Sequence, residues 1–107
     1  MEGRFMRLFV FFDLPTTTTE DKQHYTAFRR FLLHDGYMML QYSVYSRIAN
    51  GLDGVQKHER RIKDNLPPHG NVRFMVVTEK QYAQMQFLVG FPSHQEKMVT
   101  AEQDLVV

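Results

Sequence analysis

The run Met6-Arg7-Leu8-Phe9-Val10-Phe11-Phe12-Asp13-Leu14-Pro15 restricts this chain more than any other stretch, because a largely apolar, strand-forming segment ends in one carboxylate. Its aromatic and β-branched content, closed by Asp and then Leu-Pro, reads as a buried strand that delivers Asp13 to the edge of a sheet. A carboxylate in that place needs water, a hydrogen-bond donor or a cation.

The segments that follow alternate between helical and strand patterns. Thr17 and Glu20 have capping-box spacing and Asp21 adds favourable charge, so a helix of about four turns is expected from there. Tyr25, Phe28 and Leu32 form its apolar stripe and Gly36 its stop. Residues 37 to 48 are aromatic and β-branched but lose alternation near Gln41 to Ser43, which reads as a hairpin of two short strands or one sharply bulged strand. Gly51 opens a second helix with Leu52, Val55, Glu59 and Ile62 on one stripe, and Asn65-Leu66-Pro67-Pro68 ends it. Gly70 to Val77 reads as a strand with Val72, Phe74 and Val76 on one face. Thr78 and Gln81 again have capping-box spacing, for a third helix carrying Tyr82, Met85 and Val89 on one face until Gly90-Phe91-Pro92.

The order β, α, β, β, α, β is the split βαβ pattern of an α+β, ferredoxin-like sandwich, in which two helices cover one sheet face. A C-terminal helix and strand are appended. At 107 residues the chain is expected to be a single domain, with residues 6–89 as its core and residues 90–107 as a tail that engages a partner. The apolar end Asp104-Leu105-Val106-Val107 is expected to pair with a sheet edge or a second chain. The uncovered sheet face calls for an interface, and a homodimer covers it most economically.

Composition narrows the chemistry. With no Cys, neither disulfides nor thiolate zinc sites can form, and no uncharged apolar run approaches the roughly 18 residues of a membrane span. The chain also has no basic-then-apolar secretory pattern, so no membrane association and a cytoplasmic location are the expectation. The five histidines show no metal-ligand spacing. The formal net charge is only +1, yet residues 22 to 63 hold eight Lys or Arg against Asp35, Asp53 and Glu59. That basic middle can present a polyanion-binding face on a nearly neutral protein. The candidates for phosphate contact are Arg29, Arg30, Arg47, Lys57, Arg60, Arg61 and Lys63. No base-reading motif accompanies them, so any such binding should be independent of nucleotide sequence. The aromatic residues Phe9, Phe11, Tyr37, Tyr42 and Tyr45 are assigned to core or interface, since an RNP-like motif is absent.

Leu8-Phe9-Val10-Phe11-Phe12-Asp13-Leu14-Pro15, Phe28-Arg29-Arg30-Phe31-Leu32-Leu33, Asp35-Gly36-Tyr37 and Leu40-Gln41-Tyr42-Ser43-Val44-Tyr45-Ser46-Arg47 together resemble the CRISPR-associated protein 2 family, most closely its type II-A branch. The resemblance continues through Gln56-Lys57-His58, Asn65-Leu66-Pro67 and Thr78-Glu79-Lys80-Gln81-Tyr82. It implies a symmetric homodimer that sits between two dimers of the CRISPR integrase subunit and holds double-stranded prespacer DNA during spacer acquisition. Some members of that family are described as metal-dependent nucleases, with Mg²⁺ held between first-strand aspartates of two protomers. Asp13 matches that position as both catalytic and metal-binding residue. Two readings of Asp13 therefore stand, Mg²⁺ ligand or acceptor for backbone N–H groups of the Asp-Leu-Pro-Thr turn. Thr16 to Thr19 occupy the place where some nuclease-active relatives carry arginines, which weakens the nuclease alternative.

Overall fold

The computed structural model describes residues 5–96. Its elements are β1 (Phe5–Asp13), α1 (Thr19–His34), β2 (Met38–Gln41), β3 (Val44–Asn50), α2 (Gly51–Lys63), β4 (Asn71–Thr78) and α3 (Glu79–Ala83). The four strands form one antiparallel sheet in the order β2-β3-β1-β4. Both helix-linked strand pairs, β1 with β2 and β3 with β4, therefore enclose one strand of the other pair, which is the ferredoxin-like arrangement. The appended strand at Asp104–Val107 and residues 1–4 lie outside the described residues.

Strand alternation divides β1 between two environments. Leu8, Val10 and Phe12 enter a core closed by Phe28 and Leu32 of α1, Val55 and Ile62 of α2, and Tyr37, Tyr45 and Ala49. Val72, Phe74 and Val76 of β4 pack against that core, as their spacing predicts. Phe12 is its aromatic centre, with ring centroids 5.3 Å from Phe28, 5.5 Å from Tyr45 and 6.0 Å from Tyr25.

Arg7, Phe9, Phe11 and Asp13 alternate with those core residues and so share the opposite face. One end of that face is roofed by α3. The Tyr82 ring lies 5.8 Å from Phe9 and 3.9 Å from the Arg7 guanidinium, which also makes a bidentate pair with Glu79 at 2.8 and 2.7 Å. The chain then reaches the β2 edge, where Ser93 Oγ donates to the Met39 carbonyl and the Met39 N–H donates to Gln95 Oε1. Glu96 is buried there and accepts from Tyr82 Oη at 2.8 Å and from the Ser93 N–H at 2.9 Å.

Three local expectations are corrected. The α1 capping box uses Thr18 and Asp21 rather than Thr17 and Glu20, with Asp21 N donating to Thr18 Oγ1 at 2.9 Å and Thr18 N donating to Asp21 Oδ2 at 3.2 Å. A run of four threonines leaves the register of such a box open. In α2 the buried stripe is Val55, His58 and Ile62, while Leu52 is 70% exposed. The Thr78–Gln81 box forms as expected, but α3 stops at Ala83 and leaves Met85 and Val89 outside it. A short helix persists only where packing supports it, and the far end of the predicted stripe meets no surface among the described residues: Met85 is half-buried beside the Phe9–Phe11 groove but Val89 is 94% exposed. Of the two forms of the 37–48 expectation the hairpin of two short strands holds, since β2 and β3 pair through a tight Tyr42-Ser43 turn with Ser43 at φ 65°; the irregularity is a register shift between Met39 and Gln41 within that pair, not a single bulged strand.

Candidate metal and nucleic-acid sites

Asp13 ends β1, opposite Asn71 of β4, and its side chain is exposed on the face away from α1 and α2. Two contacts fix the backbone at this point. The Phe12 N–H donates to the Ser43 carbonyl at 3.1 Å, and Gly70, at φ +96°, passes so close that a Cβ there would stand 2.7 Å from the Asp13 carbonyl oxygen. Only glycine fits that approach. The Asp13 carboxylate makes no hydrogen bond or ion pair among the described residues. The turn-acceptor reading therefore finds no bond in this structure, and the carboxylate is left available to water or a cation.

Among the described residues no group of three or more His, Cys, Asp or Glu converges as a metal cage. Mg²⁺ is usually held by one or two carboxylates, with waters and substrate phosphates completing its shell. A single exposed, unengaged aspartate fits that mode when a second chain supplies its own Asp13. Asp21 is committed elsewhere, since hydrogen bonds from the Thr18 backbone hold its carboxyl below the usual range.

The seven basic candidates fall into three groups. Arg30, Lys57 and Arg60 are exposed on the helices and make no ion pair or hydrogen bond among the described residues. Arg29 and Lys63 are also exposed but locally tethered, the first by its Nε–H to Tyr45 Oη at 2.9 Å and the second to Glu59 at 3.1 Å one turn back. Arg47 and Arg61 turn to Asp35. The Arg47 guanidinium donates to the Asp35 backbone carbonyl and to Ile48 O, and Arg61 Nη1 donates to Asp35 Oδ1 at 2.8 Å.

Asp35 is thus the hub between the end of α1, β3 and α2, and His58 Nδ1 completes it at 3.0 Å from Oδ2. Burial pushes the Asp35 carboxyl up, but the hydrogen bonds from His58 and Arg61 outweigh it and hold it below its ordinary 3.8. Burial lowers the His58 imidazole from its ordinary 6.5 despite the Asp35 bond, so the neutral ring donates from Nδ1. A histidine that binds protons less readily when folded contributes stability that is complete above pH 6.5 and is lost as pH falls below it. Urea midpoints measured from pH 7 down to pH 5 should fall for the wild type and fall less for His58→Gln. Equal slopes would show that the imidazole is not linked to folding. Asp35 adds a further loss only below its unfolded value of 3.8.

Sequence reading did not single out Asn71 and Arg73 near Asp13. Alternation along β4 could have placed Arg73 away from the core, but only the β1–β4 register puts it opposite Phe11 and diagonal to the aspartate. The Arg7–Glu79–Tyr82 roof was also missed, because its partners are 72 residues apart.

The family profile described as "CRISPR associated protein Cas2" matches residues 6–85 of this chain. The "CRISPR-associated endoribonuclease Cas2" of Acidovorax ebreus is 58% identical over 98 residues, spanning 92% of this chain and 96% of that protein. The protein of the same name from Campylobacter jejuni is 41% identical over 98 residues, spanning 92% and 68%. That of Ligilactobacillus salivarius is 44% identical over 85 residues, spanning 79% and 84%. A solved structure titled "Crystal structure of cas2" superposes with a TM-score of 0.59 at 16% identity, over 84% of this chain and 92% of that one, which supports the fold alone.

Proposed function

We propose that this chain, which belongs to the CRISPR-associated Cas2 family, works in the cytoplasm as the dimeric scaffold of CRISPR spacer acquisition, holding double-stranded prespacer DNA between dimers of the integrase subunit. The observation that supports it is the separation of two surfaces. The helix side of the sheet carries Arg30, Lys57 and Arg60 without acidic partners among the described residues. The other side carries an apolar groove of about 320 Å³ lined by Phe9, Phe11, Leu40, Val44, Met75 and Val77.

An exposed apolar sheet face is the natural seat of a second copy, and twofold symmetry then doubles the cationic set on the outside. Each phosphate neutralised releases counterions, so duplex affinity should fall steeply with salt and should not depend on base sequence. Fluorescence anisotropy of two unrelated duplexes between 50 and 200 mM salt tests this. The Lys57→Ala/Arg60→Ala variant should weaken both duplexes equally and flatten the log–log salt slope by about 2 per protomer in contact. An unchanged slope, or a preference for one duplex, would count against the scaffold surface.

A second reading, Mg²⁺-dependent endonuclease, is favoured by the unengaged Asp13 carboxylate and agrees with the endoribonuclease names of the relatives. Asp13 of each protomer would hold the ion at the twofold. A bound Mg²⁺ there supplies an activated water and neutralises phosphate charge. The protein's own part is to present the carboxylate rigidly, through the Phe12–Ser43 bond and the Gly70 approach.

No helix among the described residues is long and apolar enough to cross a membrane.

A further inference from the structure

We propose that Arg73 is the phosphate-binding residue of the Asp13 site, an inference that rests on the reading of Asp13 as a cation ligand. The register pairs Asp13 with Asn71 and Phe11 with Arg73. Val72, Phe74 and Val76 pack into the helix-side core, so Arg73 shares the opposite face with Phe11 and Asp13. Diagonal neighbours in an antiparallel pair lie roughly 7–8 Å apart, within reach of an arginine side chain.

Both residues are exposed, and neither makes a hydrogen bond or ion pair among the described residues, although their charges are opposite. The gap between them suits a third body. A phosphodiester oxygen can complete the shell of a cation on Asp13 while its other oxygen meets the guanidinium, whose planar fork matches phosphate.

Among the described strand residues of this face, no other is placed to do the same. Of the strand residues there, the other described cation is Arg7, which is 2% exposed, paired with Glu79 and roofed by Tyr82. The scaffold candidates stand on the helices, across the sheet. Among the described residues β4 is also an edge strand of the sheet.

The test is a double-mutant cycle on the binding of a labelled 20-nucleotide RNA by the full chain, in EDTA and in Mg²⁺, with dimer content checked by size-exclusion chromatography. In EDTA, Arg73→Gln should weaken binding several-fold and flatten the salt slope by about 1 per engaged protomer. Arg73→Lys should restore part of it. Asp13→Asn should tighten binding in EDTA by removing a repulsive charge, and that gain should change in the double variant if both residues face one phosphate. Wild-type binding unaffected by Mg²⁺ would reject the cation-ligand reading of Asp13, and the proposal with it. A Mg²⁺ gain lost in Asp13→Asn, alongside an Arg73→Gln protein that binds like wild type at every salt, would overturn the assignment of Arg73 alone. A dimer lost in Arg73→Gln would also overturn it, making Arg73 an interface residue.

Discussion

Glu79→Ala should lower the unfolding free energy by about 3 kcal/mol, because it removes one partner of a buried ion pair and leaves the other in place. The Arg7 guanidinium is 2% exposed, lies 3.9 Å from the Tyr82 ring, and has its two carboxylate bonds to Glu79 alone. Its Nη1 already has no hydrogen-bond partner among the described residues, so no reserve acceptor is at hand. Glu79 is 30% accessible, which admits some water and places the loss at the low end of the usual range. Urea unfolding measures it. Replacing both residues, Arg7→Met with Glu79→Leu, should recover most of the loss, since no charge is then stranded. A loss below about 1 kcal/mol in the single variant would mean that the guanidinium is solvated after all.

Phe12→Ala should be still more damaging, at about 3–5 kcal/mol. Its ring meets Phe28 edge-on, with an interplanar angle of 89°, and touches Tyr25 and Tyr45 as well, so truncation removes several aromatic contacts and leaves a cavity between α1 and the sheet. Stabilities of single domains are about 5–15 kcal/mol, so this variant would be close to unfolding at 37 °C. Its effect reaches the site, because Asp13 is the next residue and depends on the same strand end. Calorimetry of Phe12→Ala beside Phe12→Leu measures the difference. A small loss in the alanine variant would show that the aromatic centre collapses without penalty.

These expectations draw on features of different legibility. The strand order, the first two helices and the hairpin follow from apolar spacing and from punctuation by Gly36, Gly51 and Pro67, because each signal is local. Asp13 was legible for the same reason, as a charge that ends an apolar run. The cap of α1 slipped by one residue because Thr17 and Thr18 offer the same hydroxyl. The third helix was overextended because its stripe runs on to Val89 in the sequence while the described surface receives it only as far as Met85. Arg47 and Arg61 read as candidates for phosphate contact, since nothing local shows that Asp35, 12 and 26 residues away, accepts from both. The Arg73–Asp13 neighbourhood depends on strand register, which side-chain period alone leaves undetermined.

The measurement closest to the central claim is integrase-dependent insertion of a prespacer into a CRISPR repeat in Mg²⁺, comparing wild type with Asp13→Ala after both are shown to be dimers that bind duplex DNA. A scaffold requires its shape and cations but not this carboxylate, so insertion should persist at close to the wild-type level. Insertion abolished while dimer and duplex binding stay intact would contradict the scaffold account and make Asp13 chemistry the chain's principal role.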